Sequence, residues 1–131
     1  IYNVIPWNYL SPALLLRIMR EVPGVLGVKQ SQGDLKLMAD LLLDVPAGKL
    51  VFTAVDALLY PSFALGSPGV IAALPTAVPG PCLALWEAVQ RNDHATAQAL
   101  HARLLRFWNA IVGDNLPACT KYALELQGCP V

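Results

Sequence analysis

Four short apolar runs, at residues 1–4, 25–29, 50–53 and 69–73, begin roughly 20–25 residues apart, and an amphipathic stretch follows each. That spacing constrains the fold more than any single residue does. A short apolar run bounded by turn formers reads as a buried strand, and strands alternating with helices imply a parallel sheet. Ser11-Pro12 opens the first helix, with serine as N-cap and proline at the first helical position. Leu14, Leu15, Ile18 and Met19 are its expected apolar face, and Pro23-Gly24 ends it. Asp34 caps a second helix whose apolar face is Leu35, Met38, Leu41 and Leu42. Pro46-Ala47-Gly48 turns the chain into the third strand, and a helix opening at Asp56 closes at Gly66. After a proline-rich turn, helices are expected over 82–91, 93–112 and 117–127.

Two α/β architectures fit this order: a doubly wound sheet and part of a (β/α)8 TIM barrel. No glycine-rich phosphate loop follows the first strand, which disfavours the nucleotide-binding version. A full barrel takes about 250 residues, so 131 supply about half of one. Composition agrees. The chain is 56% hydrophobic and 14% charged, with mean hydropathy +0.51, whereas ordinary domains are about half apolar and a quarter charged. The excess implies that something outside the chain covers part of its surface. The chain also begins at Ile1 rather than Met. The expectation is a single domain over 1–131 that forms part of a longer protein.

Net charge is zero and the nine basic residues are scattered, which leaves no electrostatic footprint for nucleic acid. Residues 57–86 carry no charge, but Pro61, Pro68, Pro75, Pro79 and Pro81 cut them into pieces too short to span a bilayer. No signal peptide is visible at the start. Cys82, Cys119 and Cys129 are odd in number and lack CxxC spacing, which fits reduced thiols in the cytoplasm. His94 and His101 share a helix face at i, i+7, but no third ligand stands near, so no metal site is expected.

The candidate chemistry lies at the end of the second strand, where Lys29 follows the apolar residues 25–28. In both architectures function sits at the C-terminal strand ends. Alternation places Val25, Gly27 and Lys29 on one face, inward in a barrel, with Gly27 leaving open space beside the lysine stem; Leu26 and Val28 then pack on the helices. An amine in a poorly hydrated pocket is more readily neutral, and a neutral amine attacks a carbonyl to form a Schiff base. The plainer alternative is a snorkelling lysine with its head in water. Tyr2, near the end of the neighbouring strand, can supply general acid–base chemistry beside it. Its own plainer reading is an amphipathic core residue with a satisfied hydroxyl.

"IYNVIP", then "GVKQSQGD" about 25 residues later, "DALLYPSFALGSPGVIAA" and the late "KYALELQG" together resemble the dihydrodipicolinate synthase / N-acetylneuraminate lyase family. The resemblance covers essentially the whole chain. It implies strands five to eight of a (β/α)8 barrel and the C-terminal helices that follow. It also implies a Schiff-base lyase or synthase of aldolase type acting on pyruvate or another 2-oxo acid, with no cofactor. Lys29 would form the imine and Tyr2 would relay protons and contact the 2-oxo acid. Ile71 falls where the family places a strand-eight residue lining the pocket.

One departure bears on the second substrate. The family's synthases carry an arginine for a substrate carboxylate soon after the Tyr-Asn motif; this chain has Trp7, Asn8 and Tyr9, and no arginine until Arg17. A neutral set cannot form a bidentate ion pair. Asn8 is therefore the expected contact to a different aldehyde, hydroxylated or aromatic. Dihydrodipicolinate synthase proper and a non-catalytic binding relative are the alternatives. The resemblance places the carboxylate-binding Gly-Thr-Thr-Gly-type segment, and a tyrosine donated by a neighbouring subunit, outside this chain. The expectation is therefore that the chain is inactive alone and belongs to a homo-oligomer, a tetramer or dimer.

Overall fold

The computed structural model describes residues 1–129, and the chain forms two compact units, Ile1–Ile71 and the part from Ala72 onward. In the first unit the order is β1 (Tyr2–Asn3), a 3-10 turn (Pro6–Asn8), α1 (Pro12–Glu21), β2 (Gly27–Gln30), α2 (Leu35–Leu43), β3 (Leu50–Thr53), a second 3-10 turn (Asp56–Leu58) and α3 (Leu59–Ala64). The caps form as their residue types dictate. Ser11 accepts from the Leu14 N–H, and Asp34 accepts from the N–H groups of Lys36 and Leu37.

The sheet is parallel, in the order β1-β2-β3. Val28 and Val51 point to its helix side, into a core with Leu15, Leu16 and Met19 of α1 and Met38 and Leu41 of α2. Each of these side chains contributes about 1.5–3 kcal/mol by leaving water.

Several expectations need correction. The buried stripe of α1 is Leu15, Leu16 and Met19, while Leu14 is exposed, so the helix is rotated from the expected face. Strand alternation begins only at Gly27. Val25 still belongs to the preceding turn, its N–H donating to the Val22 carbonyl, and it packs on the helix-side core instead of facing inward. Leu26, expected on the helices, is 69% exposed. Gly27 leaves no open space either: a Cβ there would run into the Leu50 carbonyl, so the glycine permits close approach of β3.

The fourth strand shrinks to a single bridge, Val70 to Thr53, held by Thr53 N–H to Gly69 O and Ile71 N–H to Thr53 O. The helix expected from Asp56 enters as a 3-10 turn. A continuous α-helix from Asp56 would need the N–H that Pro61 lacks. Restarting at Leu59 puts the proline in the first turn, where none is required.

The second unit is helical throughout its described residues: α4 (Leu74–Ala77), α5 (Pro79–Gln90), α6 (His94–Ile111) and α7 (Leu116–Glu125). The stretch read as a proline-rich turn holds α4 and the start of α5. Pro75, Pro79 and Pro81 all fall in first turns, which is why so many prolines are compatible with helix there. Asn92 adopts φ 59° and separates α5 from α6, and Asp93 caps α6 through the Thr96 N–H. Leu85 and Ala88 of α5 and Ala97 and Leu104 of α6 are buried. The Gln127 amide, just past α7, donates to the Ala77 carbonyl at 3.0 Å. Among the described residues, no helix is long and apolar enough to cross a membrane.

Candidate active site

Parallel pairing fixes which side chains meet. Tyr2 stands in register with Lys29, and Lys29 with Phe52; one step on, Asn3 stands with Gln30, and Gln30 with Thr53. Alternation turns the first rung to the open face of the sheet and the second to the helix side. The second rung is buried and bonded. Asn3 Nδ2 donates to Gln30 Oε1 at 2.9 Å and to the Leu10 carbonyl at 3.2 Å, while its Oδ1 accepts from the Leu10 N–H at 3.1 Å. Thr53 Oγ1 accepts from Ser62 Oγ at 3.1 Å. This network locks the end of β1, the loop after it and the end of β2 together.

On the open face the Lys29 ammonium lies 3.7 Å from the centre of the Tyr2 ring. Such a cation–π contact is worth about 0.5–2 kcal/mol, depending on how dry it is. Ser31 Oγ donates to the Tyr2 hydroxyl at 3.4 Å. That hydrogen bond draws the Tyr2 phenol below its ordinary pKa; the Lys29 charge adds to the effect and partial burial opposes it. Tyr9 goes the other way. Its hydroxyl donates to the Asn3 carbonyl at 3.1 Å, and burial, with the nearby Tyr2, pushes its phenol up. The two neighbouring tyrosines thus shift in opposite directions.

Lys29, Phe52 and Ile71, with Gly27, Leu50 and Leu26, line a hollow of about 200 Å³. The structure therefore brings Ile71 and Lys29 to one surface. It does not bring Asn8 there: Asn8 is exposed at the end of its 3-10 turn, its backbone N–H spent on the Ile5 carbonyl. Trp7 beside it is 87% exposed. The hollow is smaller than most small-molecule pockets, which measure about 300–1,000 Å³. Larger hollows, about 430 and 460 Å³, occur in the second unit, but their linings are mostly apolar and hold none of the groups above. Among the described residues no group of three or more His, Cys, Asp or Glu could hold a metal.

The sequence pattern of the dihydrodipicolinate synthetase family matches residues 1–131. The chain belongs to that family. A 4-hydroxy-tetrahydrodipicolinate synthase of Symbiobacterium thermophilum is 35% identical over 120 residues, covering 92% of this chain and 41% of the relative. A candidate dihydrodipicolinate synthetase of Pseudomonas aeruginosa superposes with TM-score 0.89 at 32% identity, over 99% of this chain and 46% of its own. YagE, a prophage protein of E. coli K12 solved in complex with pyruvate, has the same fold, with TM-score 0.86 at 23% identity, over 99% of this chain and 46% of its own. The structural neighbours are TIM barrels. The chain spans about two-fifths of the length of the curated relatives it matches.

Sequence reasoning missed Ser31 and Phe52. Ser31 stands two residues after Lys29 and shares its face because the ladder runs on to it, its N–H donating to the Asn3 carbonyl. Phe52 belongs to the rung of Lys29, and no signal short of the register itself identifies it.

Proposed function

We propose that the chain is the C-terminal part of a single barrel domain, strands five to eight and the helices beyond, and that Lys29 forms an imine with pyruvate or another 2-oxo acid. The observation that carries the reading is the open-face rung, with the Lys29 amine against Tyr2 and the Tyr2 hydroxyl tied to Ser31. Neutral Lys29 Nζ attacks the ketone carbon, and the C=O electron pair moves to oxygen. The Tyr2 hydroxyl gives that oxygen a proton. The adduct nitrogen's surplus proton passes to the new hydroxyl, and loss of water leaves a protonated imine. This withdraws electrons from the adjacent carbon, which then forms or breaks a bond to an aldehyde carbon. No cofactor enters the scheme. The pyruvate bound by YagE, a protein of the same fold, is consistent with the substrate class. The enzyme is read as a cytoplasmic homo-oligomer, the cysteines suiting a reducing compartment.

The test is to incubate the full-length protein with pyruvate, reduce with borohydride and map the adduct by mass spectrometry. A reduced pyruvyl adduct on Lys29 is expected; folded protein without one overturns the reading. A second reading, dihydrodipicolinate synthase proper, is favoured by the names of the curated relatives. The neutral Trp7-Asn8-Tyr9 segment argues for an aldehyde without a carboxylate. Turnover of a carboxylate-bearing aldehyde ahead of hydroxylated and aromatic ones would decide for the synthase. An adduct with no turnover of any aldehyde would indicate a binding relative.

A further inference from the structure

Ser31 lies one rung beyond β2, and the ladder reaches it: its N–H donates to the Asn3 carbonyl at 3.2 Å. Alternation therefore keeps its side chain on the face of Lys29. Two polar groups meet the Tyr2 side chain there, the Lys29 ammonium over its ring and the Ser31 hydroxyl at its oxygen. Lys29 belongs to β2, and Ser31 lies one residue past its end.

We propose that Ser31 is a positioning residue for Tyr2: by donating to the phenol oxygen it fixes where that oxygen sits and leaves the phenol's own proton free for the oxygen of an adduct forming on Lys29. This rests on the reading of Lys29 and Tyr2 as the reacting pair. The step balances. The Tyr2 O–H bond breaks, a new O–H bond forms on the carbinolamine oxygen, and the phenolate left behind recovers its proton from solvent. The Ser31 bond is retained throughout and strengthens as the phenol oxygen gains charge, because a donor to an oxyanion is about twice as strong as one to a neutral oxygen. At 3.4 Å the bond is long for O–H···O, as catalytic hydrogen bonds without substrate often are. The same contact heads the causes that lower the Tyr2 phenol, with Lys29 of β2 adding to it. Tyr9, from the loop after β1, is the other titrating group coupled to Tyr2.

The experiment compares full-length wild type with Ser31→Ala and Ser31→Thr, using Tyr2→Phe as the spectral blank. Two quantities are read: the Tyr2 titration midpoint from tyrosinate absorbance, and the rate of borohydride-trappable adduct formation with pyruvate. Ser31→Ala should raise the midpoint and slow trapping about five- to tenfold, the loss of one ordinary hydrogen bond. Ser31→Thr, which keeps the hydroxyl, should restore both. A midpoint that stays put in Ser31→Ala, or a threonine variant that restores neither quantity, overturns the proposal. If the midpoint moves while wild type traps no pyruvate at Lys29, the Ser31 contact stands and the imine reading falls.

Discussion

Residue by residue, Tyr2, Lys29 and Phe52 on one face of the sheet stand back to back with Asn3, Gln30 and Thr53 on the other. The hidden rung is at most 2% exposed, with Asn3 bonded to Gln30 and Thr53 to Ser62, although Gln30 Nε2 has no partner among the described residues. The open rung has a half-exposed tyrosine, a cation over its ring and a long hydroxyl contact. On the proposed reading, the same three strands carry fixation on one side and the reacting groups on the other. Changes on the hidden face should cost stability, and changes on the open face should cost chemistry. That division can be broken by experiment.

The largest effect is expected from Lys29→Met. It should abolish borohydride trapping and lower turnover by at least about a thousandfold, while stability in urea unfolding falls by no more than about 2 kcal/mol, the upper worth of the cation–π contact it removes. A large loss of stability would show that the open face also holds the fold. Asn3→Leu comes next, with the opposite signature. It strips partners from Gln30 and from both backbone groups of Leu10, costing about 2–4 kcal/mol in urea unfolding. A neutral result would mean that the network is ornamental.

Tyr2→Phe should lower kcat about a hundredfold and leave trapping at Lys29 detectable. Its pH profile sharpens the point. The phenol acts as an acid only while protonated, and its pKa lies below the ordinary tyrosine value. Wild-type activity should therefore fall, as pH rises, earlier than an ordinary tyrosine would dictate. The limb should disappear in Tyr2→Phe; a limb that persists belongs to another group. The smallest effect is expected at Lys36→Ala on α2. That lysine is 78% exposed in its pair with Asp40, so stability in urea unfolding should change by less than about 0.5 kcal/mol.

How much of this was legible follows from what each signal can carry. The helix caps at Ser11 and Asp34 depend on one residue and its immediate neighbours, and both formed as read. The meeting of Lys29 and Tyr2 followed from strand order and alternation, two local rules combined. Where alternation begins was not legible. Nothing in "PGVLGV" says that the turn claims Val25, and that single residue decided the fate of Leu26. The prolines at 75, 79 and 81 were read as breakers because their tolerance depends on position within a helix, which residue type does not reveal. Ser31 escaped because serine beside Gln32-Gly33-Asp34 looks like loop, although the ladder extends one rung past β2.

Gly27 limits how this hollow can be redesigned. The Leu50 carbonyl occupies the space a Cβ would need, so even alanine would have to push β3 away from its neighbour before it touched a substrate. An attempt to refit the hollow for a bulkier or smaller aldehyde should therefore begin at Phe52 or Ile71, whose side chains already line it. In a directed library, position 27 would contribute mostly misfolded members, and its codon is better left unvaried.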